Sequence, residues 1–197
     1  MDGGVSAPVI LFAAIFTNNI LLVNFLGMCS FLAISKDLKS SIGLGLAVTF
    51  VMTCTTGLNY VVNTFILIPY GLEQFRFIVF IIVIAAFVQL LEMIIERVSP
   101  LLYVVLGVFL PLITVNCAIL GVCLFMIIRG YSFLQCIAFG FGGGVGWWLA
   151  IVAMAGIRER MKNAPVPKAL AGPGITLIVA GLMALSFMAF SGMIQMQ

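Results

Sequence analysis

The chain has no histidine, and that one absence removes much of the usual chemistry. Metal sites built on imidazole are out, as are nucleophiles activated by a Ser-His or Cys-His pair. Charge is nearly as scarce. Only 8% of the residues are Asp, Glu, Lys or Arg, where a soluble domain carries about 25%. The net charge of +3 is held mostly in short loops and makes no case for nucleic acid. None of those loops is long enough for a soluble domain, so any nucleotide must bind on another chain. A Lys/Arg-rich leader with a small-residue cleavage site is also missing, so the sequence reads as mature from Met1. The five cysteines (Cys29, Cys54, Cys117, Cys123 and Cys136) all fall in apolar segments. A disulfide framework needs exposed loops in an oxidising compartment, so it is a poor reading here.

What is present is hydrophobic length, with 64% of the 197 residues apolar. Six runs are long enough to cross a bilayer, which takes about 20 residues as a helix. They lie near Pro8–Ile34, Ile42–Ile68, Phe77–Ile95, Leu101–Ile128, Phe133–Ile157 and Gly174–Ile194. The first, third and fifth loops hold Lys36, Lys39, Arg97, Arg158, Arg160, Lys162 and Lys168. The second and fourth hold only Arg76 and Arg129. The positive-inside rule therefore predicts odd loops in the cytoplasm and both termini outside.

Two of the runs are interrupted. FLGMCSFLA (25–33) follows Asn24 and contains Gly27, while FLPLITVNCAILG (109–121) contains Pro111, Thr114 and Asn116. Each then delivers one cysteine, Cys29 or Cys117. A backbone broken inside the membrane is tolerated only where it is buried in protein or lines a cavity. Superimposing Cys29 on Cys117 pairs Leu22 with Leu110, Phe31 with Ile119, Leu32 with Leu120 and Ala33 with Gly121. Halves of three spans each must run inverted, the architecture in which broken helices meet near the midplane. The expected fold is an all-α polytopic membrane protein of six transmembrane helices. It forms a single membrane domain over 1–197, built as inverted three-helix repeats (1–98 and 99–197), with the first helix of each repeat broken.

Thiolates are soft ligands, and iron-sulfur clusters take four of them. Two at matched breaks imply a second protein that supplies two more; the competing reading is that both are small packing residues. Packing is the expected role of Cys54, Cys123 and Cys136. No residue reads as catalytic. Glu92 shares a helical face with Gln89 and Glu96. It is a candidate for cation access, or else a carboxylate that snorkels to the interface. In GFGGGVGWW (140–148), Gly140 with Gly144 and Gly142 with Gly146 form small-xxx-small pairs for close helix packing. Trp147 and Trp148 are expected to fill a protein interface. The run Arg158–Lys168 reads as a topology signal touching lipid headgroups. A secondary transporter or a scaffold protein without a redox centre stays open beside these readings.

FLGMCSFLAISK, FLPLITVNCAILG, QLLEMIIER, GWWLAIVAMAGIRERMK and GLMALSFMAFSG together resemble the membrane subunits shared by the Nqr and Rnf complexes. The resemblance runs over nearly the whole chain. TVNCAI and GWWLAIVAMAGIRE favour the E component of the sodium-translocating NADH:quinone oxidoreductase (Nqr). VMT, FILIP and SFLQ look more like its sibling, the A component of the Rnf ferredoxin:NAD oxidoreductase complex. The resemblance implies a homologous partner of opposite topology (the D component of Nqr or the E component of Rnf). It also implies one intramembrane 2Fe-2S cluster shared between them, with Cys29 and Cys117 as this chain's ligands. No flavin is expected on this chain. The isolated chain is expected to be inactive, acting as part of a redox-driven translocase that passes electrons between NADH and ubiquinone while exporting Na+. An acidic residue implicated in sodium uptake in that family matches Glu92.

Overall fold

The computed structural model describes residues 6–98, 110–162 and 172–189. Leu101–Phe109 of the fourth expected span, Lys168, and the end of the sixth span at Ile194 lie outside them. All the regular structure among the described residues is helical. α1 (Ala7–Phe12) continues as a π-helical turn over Ala13–Thr17, and α2 is Met28–Ile34. α3 (Leu38–Val62) runs on through a π-helical turn, Asn63–Leu67, to Tyr70. α4 is Arg76–Val98, α5 Leu110–Thr114 and α6 Cys117–Ile128. α7 (Phe133–Met161) and α8 (Pro173–Met188) complete the chain.

Four helical stretches are long and apolar enough to span a bilayer: Leu38–Tyr70, Glu73–Arg97, Pro111–Ile128 and Phe133–Met161. Ala7–Thr17 and Pro173–Met188 are shorter apolar helices. The helices start where side chains can take up the free N–H groups of a first turn. Asp37 Oδ2 accepts from Ser40 N at 3.1 Å and from Ser40 Oγ at 2.7 Å. Ser132 and Gln135 form a reciprocal capping box at the head of α7. Pro173 opens α8, where its missing N–H costs nothing.

The α3/α7 pair is the spine of the molecule, and the glycines of α7 make it possible. A Cβ on Gly144 would lie 2.7 Å from Thr49 Cα, and one on Gly140 would lie 2.7 Å from Thr56 Oγ1. On the next face, a Cβ on Gly142 would come within 2.9 Å of Leu11 O, and one on Gly146 within 3.1 Å of Ala14 O. The two small-xxx-small pairs therefore serve different neighbours, α3 for one and the first span for the other. Trp147 is fully buried and Trp148 covers Gly45, so both indoles pack against protein as expected. α6 and α4 pack against α3, leaving α4 with a broad apolar outer face that includes Ile78, Ile82, Leu90 and Ile94.

α5 continues past Pro111, whose carbonyl accepts from Val115 N at 3.3 Å, and the turn before it, where a proline acts on a helix, lies outside the described residues. The interruption comes at Val115 and Asn116, where Asn116 has extended backbone (ψ 112°) and caps the next helix.

Candidate redox site at the two helix breaks

The first span unwinds from Asn18 to Gly27, and Asn19 organises that unwinding. Its Oδ1 accepts from Leu21 N at 3.0 Å and from Leu22 N at 3.3 Å. Its Nδ2 donates to Ile15 O at 3.1 Å and to Gly146 O at 2.8 Å. Asn19 is fully buried; its bonds from Leu21 N and Leu22 N replace ones that the broken helix cannot make, and its bond to Gly146 O ties the break to α7. The sequence showed Asn19 only as one polar residue of an Asn-Asn pair, with no sign of which amide turns inward.

The break closes on Gly27, whose φ of 81° is left-handed, a conformation natural to glycine. A Cβ there would also stand 2.6 Å from Trp147 Nε1 and 3.1 Å from both Asn116 Oδ1 and Ala118 Cβ. Gly27 is thus held where the two breaks meet, and its N–H donates to Cys117 Sγ at 2.9 Å. From the other side, Asn116 Oδ1 accepts from Ala118 N at 3.0 Å, and Asn116 Nδ2 donates to Ser30 Oγ at 3.4 Å. Ser30 in turn donates to Gly27 O at 3.1 Å. Cys117 is the first residue of α6 and Cys29 the second of α2, so each thiol rides on the N-terminal turn of a half-helix.

Both thiols are exposed and outside any disulfide, and Phe25 and Val115 beside them are exposed too, at 50% and 75%. That outward face contrasts with Cys123 and Cys136, which are fully buried in the core. Cys123 accepts from Asn59 Nδ2 at 3.2 Å and Cys136 donates to Tyr131 O at 3.6 Å. Cys54 is half-buried on α3. No group of three or more Cys, Asp or Glu side chains able to hold a metal occurs among the described residues. The donor set fits half of a four-thiolate cluster site, opening onto a surface that a second protein could complete. Glu92 lies elsewhere, half-exposed on α4, and its carboxylate forms no ion pair among the described residues. No hydrogen bond among the described residues links it to the thiols.

The family described as "Rnf-Nqr subunit, membrane protein" matches residues 8–194. The chain is 50% identical over 185 residues to the A component of the ion-translocating oxidoreductase complex of Syntrophotalea carbinolica, covering 94% of this chain and 96% of that one. It is 53% identical over 184 residues to the A component of the Na(+)-translocating ferredoxin:NAD(+) oxidoreductase complex of Acetobacterium woodii, covering 93% and 96%. Both relatives are named as A components, so the lean of TVNCAI and GWWLAIVAMAGIRE toward the Nqr E component gives way to the Rnf-type alternative. Those two stretches lie at the thiol turn and along α7. With a family match over nearly its full length, this chain is a member of the Rnf-Nqr family of membrane subunits.

Proposed function

We propose that the chain is the A component of a redox-driven, ion-translocating complex of the ferredoxin:NAD type. In this reading Cys29 and Cys117 supply two thiolates to a 2Fe-2S cluster completed by two from a homologous membrane protein of opposite topology. The observation that carries the reading is the Gly27 N–H bond to Cys117 Sγ, which ties two exposed thiols to one junction of broken helices. Packing thiols have no need of such a junction or of exposure.

The cluster, when bound, supplies one-electron redox chemistry, and the chain's own residues set its surroundings. Asn19 and Asn116 fix the two turns, so the sulfurs are presented without rearrangement. The Gly27 N–H withdraws charge from the Cys117 sulfur, which favours the reduced state and raises the potential. The half-helix N-termini at Met28 and Cys117 add positive dipole ends in the same sense. Most of the basic loop residues lie at the end of the bundle where Arg158 meets the α2–α3 turn. That end is assigned to the cytoplasm, with both termini outside. Reduced ferredoxin, NAD and flavins would bind other chains, and Na+ is the coupling ion suggested by the Acetobacterium woodii relative's name.

Low-temperature EPR with iron and sulfide analysis tests the assignment on the complex purified with its membrane partners. Cys117→Ser should remove one reduced 2Fe-2S signal while the assembly stays intact. Unchanged iron and an unchanged spectrum would make the thiols packing residues, and the chain a transport or scaffold protein.

A further inference from the structure

The last turn of α7 is flanked by two recesses. On one side Ala153, Gly156, Ile157, Arg160 and Met161 line a groove of about 460 Å³, with Arg160 as its one charged wall. On the other, Lys36, Asp37, Leu38, Lys39, Glu159 and Lys162 line a recess of about 290 Å³. The groove owes its shape to small side chains. Ala153, Gly156 and Arg160 follow one another at helical spacing, so the apolar floor leads straight to the guanidinium.

Gly156 differs in kind from the other α7 glycines. Gly140, Gly142, Gly144 and Gly146 each have a neighbour where a Cβ would go, whereas a Cβ on Gly156 would meet nothing within 4 Å. Glycine inside a helix costs about 1 kcal/mol relative to alanine, and here no helix contact offsets it. The nearby cations divide in the same way. Arg158 turns inward, donating to Leu32 O at 3.1 Å and to Ser35 Oγ at 2.8 Å. Arg160, Lys36, Lys39 and Lys162 form no ion pair among the described residues.

An apolar trough along a membrane-spanning helix, ending in the exposed Arg160 at the basic end of the bundle, has the polarity of an anionic phospholipid. We propose that it is a specific site for an anionic phospholipid of the cytoplasmic leaflet. One acyl chain lies along Ala153, Gly156 and Ile157, and the phosphate is held by Arg160, while the lysines of the opposite recess face Asp37 and Glu159 and take no part. Anionic headgroups favour such juxtamembrane cations. The site is independent of the redox assignment and stands or falls without it.

The test uses the complex purified with its membrane partners in detergent, with phosphatidylglycerol, phosphatidylcholine and soluble glycerophosphoglycerol as probes. Native mass spectrometry should show phosphatidylglycerol retained over phosphatidylcholine. Arg160→Ala should cut that preference about fivefold, the factor equivalent to ~1 kcal/mol for one cation near the surface. Gly156→Leu, which fills the groove, should reduce retention of both lipids. If Gly156→Leu fails to assemble, Gly156→Ala and Arg160→Ala decide the matter. Equal retention in Arg160→Ala and wild type would overturn the site. So would glycerophosphoglycerol competing as well as the lipid, because the groove would then be idle. A partner protein found crosslinked to Met161 in place of lipid would overturn it too.

Discussion

The two breaks are built on opposite principles. The first unwinds over Asn18–Gly27 and needs Asn19 to take four hydrogen bonds, together with two residues of positive φ, Phe25 and Gly27. The second is confined to Val115 and Asn116, both held within ordinary backbone, and needs one amide oxygen to start the next helix. A long break can reach across the bundle to fit its surroundings, whereas a short one only redirects a helix. The first break accordingly does the reaching: Asn19 holds α7 and Gly27 holds Cys117. Aligning Cys29 with Cys117 leaves Asn19 and Asn116 unmatched, so the two breaks do not share their organising residues.

Removing each organiser in turn tests that asymmetry. Asn19→Leu should have the largest effect. It leaves two N–H groups and the Ile15 carbonyl without their Asn19 partner in a dry setting, at about 1–3 kcal/mol for each group left buried and unpaired, and cuts the tie to α7. The expected outcome is loss of monodisperse protein on fluorescence-detected size-exclusion chromatography. Gly27→Ala comes next, with roughly 1–2 kcal/mol for the left-handed backbone and a methyl driven against Trp147 Nε1. Protein should still be recovered, with Cys117 alkylated at a changed rate and tryptophan fluorescence shifted. Asn116→Ala should cost about 1 kcal/mol, as loss of one N-cap does, and lower the melting temperature modestly. Equal damage from Asn19→Leu and Asn116→Ala would break the comparison.

The smallest effect concerns the turn that follows the first broken span. Bonds from the Ser40 hydroxyl and then the Ser40 N–H hold the Asp37 carboxyl below its ordinary value of 3.8. Its folded-state pKa is the lower one, so its stabilising share is present above that ordinary value and lost as pH falls through the depressed one. Asp37→Asn keeps a cap but should flatten the acid limb of a melting-temperature against pH profile. The matching turn after the second broken span is capped by Ser132, which does not titrate, and Ser132→Asn should leave that limb unchanged.

Much of this was legible in the sequence. Hydropathy placed the spans, and the glycine pairs of 140–146 pointed to close packing because their spacing admits little else. Gly27 and Asn116 stood out as breakers beside the cysteines. Pro111 was no guide to the visible break, which falls at Val115 and Asn116. Asn19 was hidden as well. Its role depends on Gly146, which lies far along the chain, and no local pattern reports which amide of an Asn-Asn pair faces a helix not yet placed. The branch of the family was equally indistinct, since TVNCAI and GWWLAIVAMAGIRE leaned one way while VMT, FILIP and SFLQ leaned the other.

The bond from Asn19 to Gly146 also bears on how the protein is made. Ribosomes deliver the first break to the membrane long before α7 exists, and Gly27 likewise waits for Cys117. Until the later spans arrive, the nascent first span carries polar groups that hydrocarbon rejects. It must therefore linger in the insertion channel, at the bilayer surface or with a chaperone. Chains truncated before Ser132 should then be cleared by quality control, and completion of α7 becomes the step that commits the polypeptide to the membrane.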